Sequence, residues 1–174
     1  MNSWSAYILE KSQLQIIRYP DPILNQISVD CIETDLKDIN EQVPDMVKIM
    51  TNMNGVGLAA VQVGILKRFA IIKDSQNQVH LVINPVLISG ENLEPKREGC
   101  LSLPFFFETI ERFDEVTISY RDQDWIERIA VMNGQEAQCI QHEILHMSGK
   151  LILEYVSKQK QDMWLKKLRK KGGL

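Results

Sequence analysis

The sequence predicts an α+β fold, in which antiparallel strands surround a central helix and a further helix follows at the C-terminus. Three observations support this prediction. Apolar residues recur at helical spacing between about 35 and 53. Short apolar runs bounded by turn residues occupy the middle of the chain. Two further segments with helical patterns follow, from about Gln135 to Met147 and from Ser157 to Lys171.

Length and composition are those of one globular domain, which we expect to span residues 1–174. The three cysteines, Cys31, Cys100 and Cys139, are an odd number at wide spacing. This argues against a disulfide framework and for a reducing compartment. The first 15 residues lack the pattern of a secretory signal, and no run is apolar enough to span a membrane. We therefore expect a cytoplasmic protein without a membrane partner.

In the N-terminal third, helices are expected on either side of residue 30. Tyr19-Pro20-Asp21-Pro22 predicts an extended entry to a short helix, with Asp21 as its N-cap. A longer helix is predicted from Asp35 to about Met53, and Pro44 is expected to kink it or divide it in two. Residues 55–64 are small and uncharged, with one amide side chain at Gln62. Buried packing and close approach to a ligand both explain that composition.

Strands are predicted in the middle of the chain. Phe69–Ile72 and Val79–Ile83 are apolar runs, and Asn84-Pro85 is expected to end the second. Residues 111–120 and 125–132 flank an Asp-Gln-Asp turn and predict a hairpin.

The C-terminal helix is expected to pack through an apolar face from Met163 to Leu168, with Ser157 as its cap. Between Lys158 and Lys171 there are seven Lys or Arg residues and one Asp, whereas the whole chain has a net charge of −3. This asymmetry indicates either an acidic partner or simply a solvated helix end. A sequence-specific nucleic-acid partner is not expected.

The pattern His-Glu-x-x-His lies in the predicted helix that ends near Met147. Helical geometry puts His142 and His146 on one face, where both imidazoles can bind one metal ion. Glu143 lies beside this pair, where its carboxylate could take a proton from a water on the metal. Chance occurrence of two histidines is the alternative.

A catalytic metal needs a third protein ligand and one open position. Cys139 lies on the same helix as the histidines, so its thiolate would have to share a crowded approach. Cys100 lies in a separate segment between strands, where Gly99 and Pro104 restrict the turn. The geometry favours Cys100 and makes Cys139 a small buried thiol.

Three segments in this order, GVGLAAVQVG, EGCLSLP and QHEILH, resemble the three motifs of the peptide deformylase family. The Tyr-Pro-Asp-Pro segment, Ile-Asn-Pro and the terminal helix are also similar, so the resemblance covers nearly the whole chain. It implies an enzyme that removes the N-formyl group from the first methionine of newly made bacterial or organellar proteins and releases formate.

The resemblance also implies roles for individual residues. Cys100, His142 and His146 would hold one divalent metal, commonly Fe²⁺ in this family, with Zn²⁺, Ni²⁺ or Co²⁺ as substitutes. Glu143 would be the general base, and Gln62 with the backbone N–H of Leu101 would stabilise the oxyanion. The peptide would bind as an added strand, and the expected substrate-binding residues are Val56, Gly57, Glu98, Gly99, Gln138 and Cys139.

Several positions depart from the family pattern. Leu145 stands where aspartate is usual, which removes a polar group near the metal ligands. The aromatic run Phe105-Phe106-Phe107 follows Pro104 where glycine is common, and it is expected to reshape the mouth of the cleft. Gln135 and Gln138 replace aliphatic residues of the methionine pocket and make it more polar.

These departures leave alternatives to an active deformylase. One is a relative that prefers another acylated substrate. Another is a binder of nascent chains or of the ribosome that uses the basic terminal helix. A generic zinc protease fits less well, because it leaves Cys100 and Gln62 without roles.

Overall fold

The structure, a computed structural model, describes residues 14–171. It has the α+β architecture expected from the sequence. Five strands form one antiparallel sheet in sequential order: β1 Gly57–Ala59, β2 Phe69–Lys73, β3 Val79–Cys100, β4 Leu103–Arg121 and β5 Glu127–Asn133. The helices are α1 Leu36–Asn52, α2 Gly134–Met147 and α3 Lys158–Lys170.

The hairpin of β3 and β4 is much longer than the sequence predicts. The expected strand end at Asn84-Pro85 is wrong, because β3 continues to Cys100. The pairing with β4 shifts register between Ile83 and Val86, and Asn84 has a positive φ of 50°. This irregularity accommodates Pro85, which has no N–H for the ladder. The predicted hairpin of β4 and β5 is present.

Helix α1 is a single helix, so the expected division at Pro44 is wrong. Proline removes one backbone hydrogen bond and costs on the order of 3 kcal/mol within a helix. Four buried side chains on one face offset that cost, and they are Ile39, Val43, Met46 and Met50.

Helix α2 packs against the inner face of the sheet. Ala137 and Ile140 are fully buried there, in a cluster with Ile72, Val82 and Ile118. The helix ends as predicted before Gly149, which has a φ of +70° and a backbone that closely approaches that of Asn25. A side chain at this position would strain the left-handed backbone and would collide with the backbone of Asn25.

Helix α3 lies outside the sheet and is anchored by Trp164. The indole N–H donates to the carbonyl of Pro104 at 3.0 Å, and the ring packs against Tyr19 and Phe106. The Ser157 hydroxyl caps the helix as predicted. Met163 is 64% exposed, so it is not part of the packed face. Within residues 14–171, no helix is both long and apolar enough to cross a membrane.

Candidate active site

The histidine pair of α2 meets the end of β3. His142 and His146 lie one turn apart, with ring centroids separated by 4.9 Å. The Sγ atom of Cys100, the last residue of β3, is 3.2 Å from Nε2 of His146. One ligand atom from each of the three residues lies within 4.8 Å of the others. The three side chains can therefore converge on one cation.

Cys139 lies outside this cluster. Its thiol is buried in the wall of the neighbouring cleft and donates to the carbonyl of Val56 at 3.4 Å. Burial raises the pKa of this thiol well above its usual value, and the nearby carboxylate of Glu143 raises it further. A protonated thiol is a poor metal ligand. Of the two cysteines near α2, Cys100 is therefore suited to hold a metal.

Glu98 fixes the orientation of His142. Its Oε2 atom accepts from Nδ1–H of His142 at 2.8 Å, which leaves Nε2 of that ring as the free ligand atom. The same carboxylate accepts two hydrogen bonds from Arg112, at 2.6 and 3.2 Å. Burial favours the neutral acid, but His142 and Arg112 outweigh it and lower the pKa of Glu98.

The pKa values of the two imidazoles are shifted in opposite directions, and both shifts are compatible with a bound cation. Burial lowers the pKa of His142, but Cys100 and Glu98 outweigh it and raise that pKa to about 10. The site thus favours positive charge at this ring, and a metal at Nε2 would take the place of the proton. Burial lowers the pKa of His146 well below its usual value, which keeps that ring neutral and its lone pair available.

Glu143 is buried next to the cluster. Its side chain is 3% exposed, and within residues 14–171 its Oε2 atom has no hydrogen-bond partner. Burial raises its pKa to about 7, so the carboxyl group can both lose and hold a proton near neutral pH. A Cβ atom on Gly57 would collide with Glu143 Oε1 and with Cys139 Sγ. Glycine at this position therefore makes room for the carboxylate.

Gln62 presents its amide nitrogen to the same region. The Oε1 atom accepts from the backbone N–H of Ala59 at 2.9 Å, which orients the amide. Nε2 donates to the Ser102 hydroxyl at 3.1 Å and lies 3.7 Å from Cys100 Sγ. The side chain is buried, so this donor is held in a fixed position beside the candidate metal ligands.

A cleft of about 530 Å³ runs along the cluster between β1 and the end of β3. Every residue predicted from the sequence to bind substrate or stabilise the oxyanion contributes to its wall: Val56, Gly57, Gln62, Glu98, Gly99, Leu101, Gln138 and Cys139. Gln135, Arg97 and Phe107 line it as well. The Gln138 amide donates to the backbone carbonyl of Arg97 at 2.9 Å, so that amide is bonded to protein.

Leu145 has apolar surroundings. It packs against a cluster that contains Leu103, Phe106 and Ile110. Leu145 thus offers no carboxylate to the site. The carboxylate partner of Arg112 is Glu98, and the guanidinium of Arg112 lies 5.7 Å from the ring centroid of Tyr155.

Two residues near the site were missed by sequence reasoning. Arg112 is 7% exposed within β4, and nothing local marks it, because its partner Glu98 belongs to another strand. Ser102 is fully buried beside Gln62. Its place two residues after Cys100 in the EGCLSLP segment was the available signal.

Known proteins are similar to this chain in both sequence and fold. The polypeptide deformylase family model matches residues 13–162. A peptide deformylase of Maricaulis maris is 37% identical over 163 residues, covering 90% of this chain and 92% of that protein. One from Rhizobium meliloti is 38% identical, covering 89% and 91%. The crystal structure of peptide deformylase from Ehrlichia chaffeensis in complex with actinonin matches with a TM-score of 0.85 and 34% identity, covering 92% and 98%. The chain therefore belongs to the polypeptide deformylase family.

Proposed function

We propose that this protein hydrolyses the N-formyl group from the first methionine of newly made proteins, releasing formate and a free amino terminus. The observation that carries the proposal is the convergence of Cys100, His142 and His146 beside the buried carboxylate of Glu143, in a chain of this family. We also propose that the chain acts as one catalytic domain in the cytoplasm of a bacterium.

The thiolate and the two imidazoles would hold one divalent metal. When bound, such a metal supplies Lewis-acid polarisation and lowers the pKa of water. A soft sulfur with two ring nitrogens suits Fe²⁺ and Zn²⁺ alike. Following the family, we propose Fe²⁺ as the native metal, with Zn²⁺, Ni²⁺ or Co²⁺ as substitutes.

In this mechanism Glu143 moves the proton. The oxygen of water forms a bond to the formyl carbon while Glu143 takes a proton from that water. The carbon–nitrogen bond then breaks, and Glu143 delivers the proton to the departing amine nitrogen. A pKa of about 7 supports both halves of this transfer at neutral pH.

The negative charge that develops on the formyl oxygen needs donors placed in advance. The Nε2 group of Gln62 and the backbone N–H of Leu101 are proposed for this task. The buried amide of Gln62, held through Ala59, supports its part. Each such donor is typically worth about 3 kcal/mol in the transition state.

The peptide is proposed to bind as an added strand along β1. Within the described sheet, β1 pairs on one side with β2, and Val56 and Gly57 line the cleft at its other edge. An edge strand offers backbone donors and acceptors to an extended peptide. Since the amide of Gln138 is bonded to a backbone carbonyl, this residue adds less polarity to the methionine pocket than its side chain suggests.

Formate release from formyl-Met-Ala-Ser by the metal-loaded protein tests the proposal. We expect turnover by the wild type and loss of at least a thousandfold in kcat for Glu143→Ala with metal content unchanged. Wild-type protein that binds metal yet frees no formate from this peptide would refute the proposed activity.

We further propose that the outer face of α3 contacts the ribosome. Lys158, Lys166 and Arg169 are exposed on α3, whereas Trp164 and Leu168 of the same helix are buried. Cationic surfaces of this kind bind nucleic-acid phosphates, and salt weakens the interaction. Co-sedimentation with ribosomes should fall when Lys166 and Arg169 are both changed to Gln. Equal co-sedimentation of this variant and the wild type would exclude that face.

A further inference from the structure

A second, shallower cleft lies next to the first. It has a volume of about 240 Å³ and lies between the start of β4 and helix α3. Phe107 lines both clefts, so the two adjoin at this residue. The remaining lining is mostly aromatic and cationic, with one carboxylate, that of Glu108; its other members include Phe105, Lys160, Met163 and Lys167.

Large apolar side chains are exposed along this cleft. Phe105 is 51%, Phe107 61% and Met163 64% exposed. Phe105 also has a φ of +61°, in the left-handed region that bulky residues rarely adopt. An apolar patch rimmed by polar groups is typical of a binding surface.

Three cations border these rings. The guanidinium of Arg97 lies 5.6 Å from the centroid of Phe107, and Nζ of Lys171 lies 4.3 Å from that of Phe105. Lys167 lines the second cleft. Among the described residues, none of these three forms an ion pair with a carboxylate. Lys160, by contrast, is paired with Glu108 at 2.8 Å.

We call Arg97, Phe105, Phe107, Lys167 and Lys171 the cationic rim. Its rings can cover the apolar parts of a peptide, and its cations are complementary to carboxylates. An extended chain advances roughly 3.3 Å per residue. Phe107 lines the first cleft together with Cys100 and His142, so an extended peptide with its formyl group at these ligands passes along Phe107 as it leaves the cleft.

We propose that the cationic rim binds the part of the substrate downstream of the formylated residue and favours acidic side chains there. This inference rests on the proposed function. Arg97 would act on positions inside the first cleft, and Lys167 and Lys171 on positions farther along the chain. The rim would then be a specificity-determining surface that ranks formylated chains by the residues that follow methionine.

The test compares peptides that differ only in charge, formyl-Met-Ala-Glu-Glu-Ala-Glu and formyl-Met-Ala-Lys-Lys-Ala-Lys. We expect the wild type to show a kcat/KM about tenfold higher for the acidic peptide, with this ratio falling as salt screens the charges. Arg97→Gln and the double variant Lys167→Gln/Lys171→Gln should each reduce the ratio to threefold or less. Lys37→Gln removes one exposed charge from α1, outside the lining of both clefts, and should leave the ratio unchanged.

A binding measurement separates this inference from the proposed activity. Affinities of the two peptides without their formyl groups, measured by fluorescence anisotropy of C-terminally labelled forms, should follow the same order in the same variants. A wild-type ratio near one in both assays overturns the inference. A ratio that persists in the rim variants, or that Lys37→Gln lowers equally, overturns it as well. Absence of formate release together with rim-dependent binding would refute the proposed activity and support the rim.

Discussion

One carboxylate, that of Glu98, connects the metal-ligand cluster to the sheet. It accepts from His142 on one side and from Arg112 on the other, and all three side chains are buried. A buried carboxylate is stable only when it is paired and hydrogen-bonded. Arg112 therefore keeps Glu98 ionised, and the ionised carboxylate holds the His142 ring with Nε2 directed at the metal position.

Replacing Glu98 tests this arrangement. Glu98→Gln keeps the shape but loses the charge, so we expect the affinity for Zn²⁺ to fall by roughly 10–100-fold. Competition with a chromophoric chelator measures this. Glu94→Gln is the matched control, because Glu94 lies on the same strand and pairs with Lys96 at the surface. Equal affinities of Glu98→Gln and the wild type would show that His142 is positioned by something else.

Gly57 offers a second test at the scale of one residue. In Gly57→Ala, the added methyl group must displace Glu143 or Cys139, because both lie within its contact radius. We expect kcat/KM for formyl-Met-Ala-Ser to fall at least tenfold, while Zn²⁺ content stays at the wild-type level. The double variant Gly57→Ala/Cys139→Ala relieves one of the two collisions and should recover part of the loss. Full activity of the single variant would contradict this packing.

The three cysteines should differ in reactivity. Burial raises the pKa of Cys31 to about 11, with a further contribution from Asp35, and it raises that of Cys139 well above its usual value. Cys100 is only partly buried. In metal-free protein at pH 7.5, iodoacetamide should therefore modify Cys100 first, and added Zn²⁺ should protect it. Peptide mapping by mass spectrometry reads this out, and faster modification of Cys139 would contradict the assignment.

Among the helices and strands, apolar periodicity predicted the span of an element correctly where one of its faces is buried. Helices α1 and α2 and strand β2 follow their predicted spans closely. The extension of β3 was missed because residues 86–95 are mostly exposed on both faces, so no alternating pattern marks them. Asn84-Pro85 indicated a strand end, whereas the long pairing with β4 turns it into a bulge.

Helix α3 shows the limit of the same reasoning, because its apolar run includes one exposed residue. Trp164→Ala removes a buried indole and its hydrogen bond to Pro104, and it should lower the free energy of unfolding by about 3–5 kcal/mol. Met163→Ala, one position away and largely exposed, should change it by less than about 0.5 kcal/mol. Urea denaturation of both variants measures the difference. Similar losses would mean that α3 packs through another face.

At the scale of the molecule, the site assembles from segments far apart in sequence. Gln62 follows β1, Cys100 ends β3, and both histidines lie on α2. Sequence reasoning reached these residues because each lies in a short motif with recognisable chemistry. The role of Arg112 could not be predicted from the sequence, because it depends on a cross-strand position that only the pairing of β3 with β4 creates.

The measurement that tests the account most directly is the anomalous diffraction of crystals of the Zn²⁺-loaded, reduced protein, recorded at the zinc absorption edge. One peak is expected, about 2.3 Å from Sγ of Cys100 and about 2.1 Å from Nε2 of His142 and of His146. A peak bound to the histidines but not to Cys100, or coordinated through Cys139, would contradict the assignment of the metal site.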